Sequence, residues 1–590
     1  KNQINQIIRE EETKRETHEH IVDSVDLFLF LSLLILVILT IWFLKHKKFK
    51  YVHETGLAIF YGSIFGALIR YVFKDNQKRS IFFTPANLTL NSIDDLPEYV
   101  YMSIPNLTQN FVYKFKEPSS DTSSMVSRDF EEKVTFNPET FFNILLPPII
   151  FQAGYSMKRK QFFKNFGAIL MFALIGTTIS SFVIGGLMYW VVSWQKSLGY
   201  MKFLDCLLFG SIVSATDPVT TLSIFSDQNL DLSLYSLIFG ESVLNDAVSL
   251  ILVQQIEKFS GNSLEAGQFF RAIGSFFVIF LGSILVGSLV GCTNAILTKF
   301  TKIKHHPSLE TALFILISYS AFYASEAIGL SGIVTMLIAG IFQAHYTFNN
   351  LSVDSKFQTR QIFHLISFLS ENFIFIYIGI SMFTFRNHQW EAGFILPSLI
   401  VILFGRAVNI YPLSYLINLT RSSSNKIKLK NQNLMFFSGL RGALAFGLAI
   451  RNTSTSSRQL ILTTTSVIVI ITVVFFGGMT KKVIELLNIE SADSTADKVD
   501  KDKNQKIKGK FKAFLSKLVI FKLLRSLDKK FVKPFLTNSR PTLIDNLPNK
   551  LLPIARLLTT IEQIEENDGF NEENFLINDS RGQFENISIN

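Results

Sequence analysis

The sequence predicts an all-α polytopic membrane protein with about 13 transmembrane helices and a cytosolic tail. Of its 590 residues, 48% are hydrophobic and only 18% are charged. The mean hydropathy of +0.30 is too apolar for a soluble chain. Runs such as 27–44, 277–297 and 460–479 contain no charged residue, and a helix needs about 20 apolar residues to cross a bilayer. A soluble enzyme is therefore excluded.

Scanning for apolar stretches of this length gives thirteen segments. They are 27–44, 52–73, 141–156, 165–194, 203–225, 235–254, 270–298, 308–325, 331–344, 361–385, 394–419, 432–450 and 459–480. Together they define a transmembrane domain over 27–480, which is preceded by an N-terminal segment, 1–26, and followed by a tail, 481–590.

Positive charge clusters after the first, third, seventh and eleventh segments. The clusters are Lys45, Lys47, Lys48 and Lys50; Lys158, Arg159, Lys160 and Lys164; Lys299, Lys302 and Lys304; and Arg421, Lys426, Lys428 and Lys430. Cytosolic loops carry an excess of Lys and Arg, so these ends are predicted to be cytosolic. The N-terminus is then luminal or extracellular, and the tail is cytosolic. The loop 75–138 faces the lumen, and its Asn-x-Thr sequons predict glycosylation at Asn87 and Asn106.

The net charge of +10 does not indicate a nucleic-acid partner, because the basic residues gather at segment ends and in the tail, where the membrane surface accounts for them. Within the tail, 507–535 is basic and apolar, with hydrophobic residues on one helical face. Such a helix lies on anionic membrane lipids or binds a calmodulin-like or EF-hand protein. The alternative is an ordinary amphipathic helix packed on the membrane domain.

The fifth segment contains an acid at bilayer depth, where an ionisable side chain indicates function. Asp217 stands immediately before Pro218 in an otherwise uncharged run. Proline removes an N–H donor and clashes with the preceding turn, so a break in the helix is predicted here. Freed carbonyls beside a carboxylate make a cation site. The alternative is a simple kink in which Asp217 caps the following half-helix.

The sixth segment places three oxygen-bearing side chains on one helical face. Ser242 and Asp246 are one turn apart, and Asn245 adjoins both. Hard cations prefer oxygen ligands, and a carboxylate beside a neutral amide supplies one negative charge. The alternative is that Asp246 only forms a structural ion pair.

Two arginines lie in the eleventh and twelfth segments, Arg406 and Arg441. An arginine is charged at every working pH, so a buried one needs a permanent carboxylate partner. We expect Glu241 to pair with Arg406.

Two glycines, Gly439 and Gly442, interrupt the twelfth segment, as Pro218 interrupts the fifth. Paired interruptions of this kind are typical of transporters built from inverted repeats with broken, crossing helices. Three further acids are as consistent with structural or gating roles as with ion binding. They are Glu310, Glu326 and Glu371.

Six motifs in order resemble those of the eukaryotic sodium/proton exchangers, within the cation/proton antiporter superfamily. They are SIVSATDPVTTLSIF, FGESVLNDAVSLIL, YASEAIGLSGIVTMLIAGI, SENFIFIYIGISMFTF, FGRAVNIYPLSYLINL and FFSGLRGALAFGLAIRNT. The phrases QAHYTFNNLS, LDKKFVKPFLTNSRPTL and LPIARLL are similar to the organellar, endosomal and trans-Golgi branch. An organellar membrane is therefore expected, with the plasma membrane as the alternative.

The resemblance implies a homodimer in which a core domain moves against a dimerisation domain to alternate access to one site. It implies that Asp246 carries the cation or proton, with Asn245 and Ser242 beside it and Thr216 and Asp217 on the broken helix. It also implies that Glu241 and Arg406 form a structural salt bridge, and that Arg441 is the arginine of the GLRG motif.

One buried carboxylate suffices for exchange. A carboxylate removed from water holds a proton at higher pH than an exposed one, so proton and cation compete for it. If the site changes sides of the membrane with either one Na+ or K+ ion or one proton bound, the moving element bears the same charge in both directions, and transport is electroneutral. No cofactor is needed. The rival hypotheses are a cation channel with Asp217 and Asp246 in its filter, and a transport-inactive scaffold or sensor that recruits a partner through its tail.

Overall fold

The structure of the protein is a computed structural model that describes most of the membrane domain and part of the tail. The described residues are 24–25, 27–47, 54–72, 99–103, 110–114, 141–217, 232–259, 266–385, 388–421, 426–487, 526, 528–538, 543–546, 553 and 558–559. Several predicted features lie outside them, including Asn87, Asn106, Pro218 and residues 507–525 and 527 of the basic stretch.

Each of the thirteen predicted segments contains helix, and the helices are numbered α1 to α13 in chain order. The single helices are α1 (Leu27–His46), α2 (Glu54–Val72), α5 (Phe203–Ser214), α6 (Leu232–Lys258), α7 (Ala266–Phe300), α8 (Pro307–Ala327), α10 (Val353–Thr384) and α11 (Ala392–Thr420). Four helices contain a π-helical turn: α3 (Phe141–Leu145, Leu146–Ser156), α4 (Arg159–Leu170, Met171–Gly176, Thr177–Trp194), α9 (Gly332–Phe342, Gln343–Thr347, Phe348–Asn350) and α13 (Ser456–Ile471, Thr472–Phe476, Gly477–Leu487). The remaining helix, α12, is in two parts, Leu429–Phe437 and Ala443–Ile450.

The helices make this a multi-pass membrane protein. In the described part of the chain, seven of them are long and apolar enough to cross a membrane by length and composition. They are α1, α4, α6, α7, α10, α11 and α13. The other six are shorter, interrupted or less apolar, so a total of thirteen crossings stays a prediction.

Among the described residues, one pair of strands interrupts the helical architecture, and the sequence reasoning did not anticipate it. Strands β1 (Tyr99–Ser103) and β2 (Asn110–Lys114) pair antiparallel, with Tyr99 opposite Lys114 and Ser103 opposite Asn110. Both strands are rich in the aromatic and β-branched residues that favour strands. They lie within the loop that is predicted to be luminal.

The helices pack as two groups. The site group consists of α4, α5, α6, α11, α12 and α13. The scaffold group consists of α1, α2, α3, α7, α8, α9 and α10. Within the scaffold group, α2 and α10 approach so closely that a Cβ atom on Gly62 would overlap the carbonyl of Ile376. Small residues at such a contact are what allow membrane helices to pack backbone against backbone.

A short stretch of the tail lies on the scaffold group. Residues 528–538, here called the strap, form helical turns at Asp528–Val532 and Lys533–Leu536. The strap packs against the C-terminal ends of α7 and α9. The described part of the predicted basic helix therefore packs on the membrane domain.

Candidate functional site

Helix α5 ends earlier than its apolar run. The segment was predicted to extend to residue 225, but helix stops at Ser214 and the backbone turns extended at Ala215 (φ −59°, ψ 136°). A proline disfavours helical backbone in the residue before it, which here is Asp217. The last carbonyls of α5 therefore lie in the interior of the protein without a partner from the helix itself.

Helix α12 is interrupted at the same place in space. Its first part ends at Phe437 and its second begins at Ala443. The backbone N–H of Asp217 donates to the carbonyl of Leu440 at 2.8 Å. The end of α5 and the interruption of α12 thus lie against each other, which is consistent with the inverted-repeat hypothesis.

Charged side chains complement the helix ends at this crossing. Arg441 donates from Nη1 to the carbonyls of Ser214 and Ala215, at 3.0 and 3.1 Å. These carbonyls form the negative end of α5, where a cation is stabilising. Conversely, the Asp217 side chain packs on Gly442, which precedes the second half of α12, where the helix dipole favours an anion.

Asp246 lies on α6 beside this crossing. Its side chain is 4% exposed. Among the described residues, no group hydrogen-bonds to its carboxylate, although Asp217 and Arg441 are within electrostatic range. A buried carboxylate without a hydrogen-bond partner is costly, so it favours a bound cation or proton.

Asn245 connects three helices. Its Nδ2 donates to the carbonyl of Ser214 at 3.0 Å and to Oγ1 of Thr216 at 3.2 Å. Its Oδ1 accepts a hydrogen bond from Thr177 of α4 at 2.9 Å. The amide therefore holds the end of α5 in register with α4 and α6.

Thr216 and Ser242 extend this network. Thr216 donates to the hydroxyl of Ser242 at 3.1 Å, which links the extended segment after α5 directly to α6. All five side chains that were predicted to bind the ion are buried and surround this crossing: Thr216, Asp217, Ser242, Asn245 and Asp246.

The structure places Arg406 against Glu241. Both side chains are at most 3% exposed. Arg406 donates from Nη1 to Oε1 of Glu241 and from Nη2 to Oε2 at 3.3 Å. The same Nη2 also donates to the Met435 carbonyl at 2.8 Å, so the pair ties together α6, α11 and the first half of α12.

The remaining intramembrane acids have local partners. Glu371 accepts a hydrogen bond from Ser367, one turn away on α10, at 2.8 Å, and it lies within electrostatic range of Asp217. Glu326 is exposed at the end of α8, where it accepts the Gly332 N–H at 2.7 Å and so caps α9.

Glu310 joins the starts of α8 and α10 by accepting the N–H and hydroxyl of Ser352, at 3.1 and 2.8 Å.

Sequence reasoning missed two parts of the site. It sought a carboxylate partner for Arg441, whereas the guanidinium binds the carbonyls of the distant α5. It also passed over Thr177, which reaches Asn245 from α4. The run Thr177, Thr178, Ser180 and Ser181 within an apolar segment was a signal that could have indicated it.

Known proteins resemble the chain over nearly its whole length. The family model described as "Sodium/hydrogen exchanger, transmembrane" matches residues 33–486, which include every site residue above. Sodium/hydrogen exchanger 9 of Rattus norvegicus is 43% identical, over 94% of this chain and 88% of that protein. Sodium/hydrogen exchanger 7 of Homo sapiens is 42% identical, over 95% and 82%. The solved structure of the sodium proton antiporter MjNhaP1 from Methanocaldococcus jannaschii shares the fold, with a TM-score of 0.53 and 16% identity over 79% of this chain and 99% of that one.

Proposed function

The chain belongs to the sodium/hydrogen exchanger family, and from that premise we propose that it exchanges one monovalent cation, Na+ or K+, for one proton across an organellar membrane. The observation that carries the proposal is the environment of Asp246. It is a buried carboxylate without a hydrogen-bond partner among the described residues, and it lies beside the end of α5 and the interruption of α12, which a main-chain hydrogen bond joins. It is a transporter and not an enzyme, because cargo crosses the membrane chemically unchanged.

Exchange follows from what one carboxylate can hold. A bound proton or a bound monovalent cation each neutralises Asp246, and either excludes the other. Asp217 supplies a second carboxylate for the transported metal ion, the hydroxyl oxygens of Thr216 and Ser242 lie nearby, and the amide nitrogen of Asn245 holds Thr216 in place. Because both loaded forms carry the same charge, the cycle is electroneutral.

Movement of the site group against the scaffold group would expose this site to either side of the membrane in turn. We propose that the scaffold group also provides the interface of a homodimer. Helices pack more extensively within each group than between the groups, which meet where α6 contacts α7, α10 contacts α12 and α13, and α2 contacts α13. Such an arrangement permits one group to move as a body.

We place the protein in endosomal or trans-Golgi membranes, with the plasma membrane as the alternative. In an acidic organelle it would release luminal protons in return for cytosolic cation, and so raise luminal pH. The N-terminal segment and the glycosylated Asn87 and Asn106 would face the lumen. The tail would face the cytosol. There a calmodulin-like or EF-hand protein or anionic lipid would bind the part of the basic stretch 507–535 that precedes residue 528, because 528–535 pack on α7 and α9.

The direct test uses purified protein in liposomes that contain a pH dye, to which Na+, K+ or Li+ is added in turn. Antiport predicts that an imposed cation gradient drives a proton flux that depends on the ion added. A channel would instead pass cation without a coupled proton flux, and a transport-inactive sensor would pass neither. Cation uptake at full rate without proton counterflow would contradict the proposal.

Asn245→Asp is expected to make transport electrogenic. The new carboxyl would face the Ser214 carbonyl, which accepts a hydrogen bond from its protonated form, and unlike an amide it can release that proton when the cation binds. A second proton carried per cycle would move net charge. Current recording from proteoliposomes measures it, with Asn431→Asp, at the start of α12, as the control. Exchange that continues without current would contradict this expectation.

Gly442→Ala is expected to slow exchange at least several-fold while the protein still folds. A Cβ atom at this position would lie 2.5 Å from Cβ and 2.6 Å from Cγ of Asp217, so the carboxyl group must move away from the crossing. The control is Gly186→Ala on α4, where a Cβ meets nothing within 4 Å. Equal exchange rates for the two variants, measured with the pH dye, would show that the position of Asp217 is unimportant.

A further inference from the structure

Thr177 on α4 uses its hydroxyl differently from its neighbours on the same helix. Thr178 donates to the carbonyl of Leu174 at 2.7 Å, and Ser181 donates to the carbonyl four residues before it at 2.9 Å. Such bonds within a helix are common for hydroxyl side chains. Thr177 instead donates to Oδ1 of Asn245 on α6, at 2.9 Å. Its side chain is 1% exposed, so this bond lies in the interior of the site group.

A π-helical turn precedes Thr177 on α4. The turn, Met171–Gly176, ends at the residue immediately before it. A π-helical turn takes one more residue per backbone hydrogen bond than an α-helix, so it changes the face on which the following side chains lie, and such turns are frequent at functional sites. Gly176 packs so closely on α11 that a Cβ atom would overlap Oδ1 of Asn409. Helix α4 is therefore held between α6 and α11 at the level of Thr177.

A directed series of hydrogen bonds runs from Thr177 to the ion site. Nδ2 of Asn245 donates to Oγ1 of Thr216 at 3.2 Å, and the Thr216 hydroxyl donates to Ser242 at 3.1 Å. The direction is fixed, because the other acceptor of Nδ2 is the carbonyl of Ser214, which cannot donate. Asn245 therefore presents its nitrogen to Thr216 and its oxygen to Thr177. The four side chains Thr177, Asn245, Thr216 and Ser242 are here called the hydrogen-bond series.

The donors and acceptors of the series show which atom is available to a cation. Nδ2 of Asn245 is a donor and cannot bind a cation, and Oδ1 of the same amide accepts from Thr177. The Thr216 oxygen accepts one hydrogen bond from Asn245 and gives its single proton to Ser242, so it keeps one lone pair for an ion. Asn245 thus contributes to cation binding through Thr216.

The carboxylate of Asp246 is not a member of this series. In the described part of the chain, no hydrogen bond joins it to any of the four side chains. A proton binds at this carboxylate, whereas a cation also uses the oxygen of Thr216. A change at Thr177 should therefore alter the affinity for the cation and leave the affinity for the proton as it is.

We propose that Thr177 is a positioning residue for the transported cation: acting through Asn245, it fixes the hydroxyl of Thr216 and so sets the affinity of the site for Na+ or K+. An oxygen that is already held in position binds an ion more tightly than one that must first be ordered. The inference rests on the proposed function, because the ion that binds is the ion that is exchanged. Binding itself can be measured without transport.

Three substitutions at Thr177 weaken the donor in steps. Thr177→Ser keeps the hydroxyl, Thr177→Cys replaces it with the weaker S–H donor, and Thr177→Val removes it at nearly constant volume. The control is Thr178→Val, which removes the hydroxyl of the next residue, whose partner is a carbonyl of its own helix. Each full-length protein is reconstituted in liposomes with the pH dye. The exchange rate is then measured against the concentration of Na+ or K+ at several pH values.

The KM for the cation is expected to rise in the order Ser, Cys, Val, by several-fold for Thr177→Val, while the maximal rate changes little. A change in KM alone indicates lost binding and not impaired movement. Because the proton competes for Asp246, a lower pH raises KM in every variant. The factor of that rise should be the same in Thr177→Val as in the unmodified protein, and Thr178→Val should keep the unmodified KM and maximal rate.

A second readout needs no transport. A bound cation raises the thermal midpoint of the detergent-solubilised protein, and Thr177→Val should need a several-fold higher concentration of Na+ or K+ for the same rise. The proposal is overturned by an unchanged KM in Thr177→Val, with or without a lower maximal rate, or by a KM in Thr177→Ser as high as in Thr177→Val. If Thr177→Val does not fold, an unmodified KM in Thr177→Cys overturns it.

The two proposals can fail separately. If the unmodified protein shows no cation-dependent proton flux, the proposed function fails. The midpoint titrations of the Thr177 series then still decide whether this residue positions a bound cation: equal titrations in the unmodified protein and Thr177→Val refute it, and a several-fold shift supports it.

Discussion

Replacing Asp246 with asparagine is expected to abolish exchange. The substitution preserves size and removes the charge that holds either cargo, and an amide neither binds a proton at cellular pH nor attracts Na+ or K+ as a carboxylate does. We expect cation-driven pH change in proteoliposomes to fall to the level of protein-free vesicles. Glu241 on the same helix cannot substitute for it, because that carboxylate is paired with Arg406.

The matched control for this variant is Asp354→Asn, the same change at an exposed position in the first turn of α10. It should exchange at the rate of the unmodified protein. Both proteins should elute from size-exclusion chromatography as single, folded species. Robust cation-driven proton flux in the folded Asp246→Asn protein would remove this residue from the centre of the mechanism.

Replacing Glu241 with alanine is expected to cost about 3–5 kcal/mol of stability, because it leaves the charge of Arg406 buried without its partner. The Met435 carbonyl would still accept from Arg406, but it carries no charge to balance the guanidinium. The loss should appear as a much lower midpoint when the detergent-solubilised protein is heated and its soluble fraction is measured.

Helix α6 provides its own control. Glu257 lies on the same helix and pairs with Arg458 at 3.0 Å, but these side chains are 24% and 12% exposed. Partly exposed pairs contribute only about 0–1 kcal/mol, so Glu257→Ala should change the midpoint little. Adding Arg406→Met to Glu241→Ala should recover part of the loss, since it removes the unpaired charge. Equal midpoints for Glu241→Ala and Glu257→Ala would contradict a structural role for the buried pair.

The part of the site that lies on α6 could be predicted from sequence because a single helical period determines it. Ser242, Asn245 and Asp246 fall on one face at any regular helix geometry. The end of α5 close to Pro218 could also be predicted, because the effect of a proline on the residue before it is local. Glu241 and Arg406 could be matched by the rule that a buried arginine requires an acid, even though they are far apart in the sequence.

The contacts of Arg441 could not be obtained in this way. Its acceptors are main-chain carbonyls, which every residue carries, and they become available only because α5 ends at Ser214. Likewise, the need for a glycine at 442 arises from the approach of Asp217 from another helix. Composition does not encode which backbones come together in space.

The strap and the paired strands β1 and β2 show a different limit of prediction from sequence. The basic, apolar character of 507–535 left binding to membrane lipid, binding to a partner protein and packing on the membrane domain all open. Only the contacts of Lys299 and Asn350 favour the last for residues 528–535. The strands β1 and β2 lie in a loop without strong periodicity, where pairing depends on register between two short segments.

The hydrogen bond from the Asp217 main chain to Leu440 joins atoms that all amino acids share. A new side chain at 440 leaves it in place, and at 217 only proline would delete the donor. Most single mutations therefore leave this main-chain contact intact, whereas a single mutation can replace any one of the charged side chains around it. Descendants of this chain can therefore diverge in which ion they carry without rebuilding the scaffold that positions it.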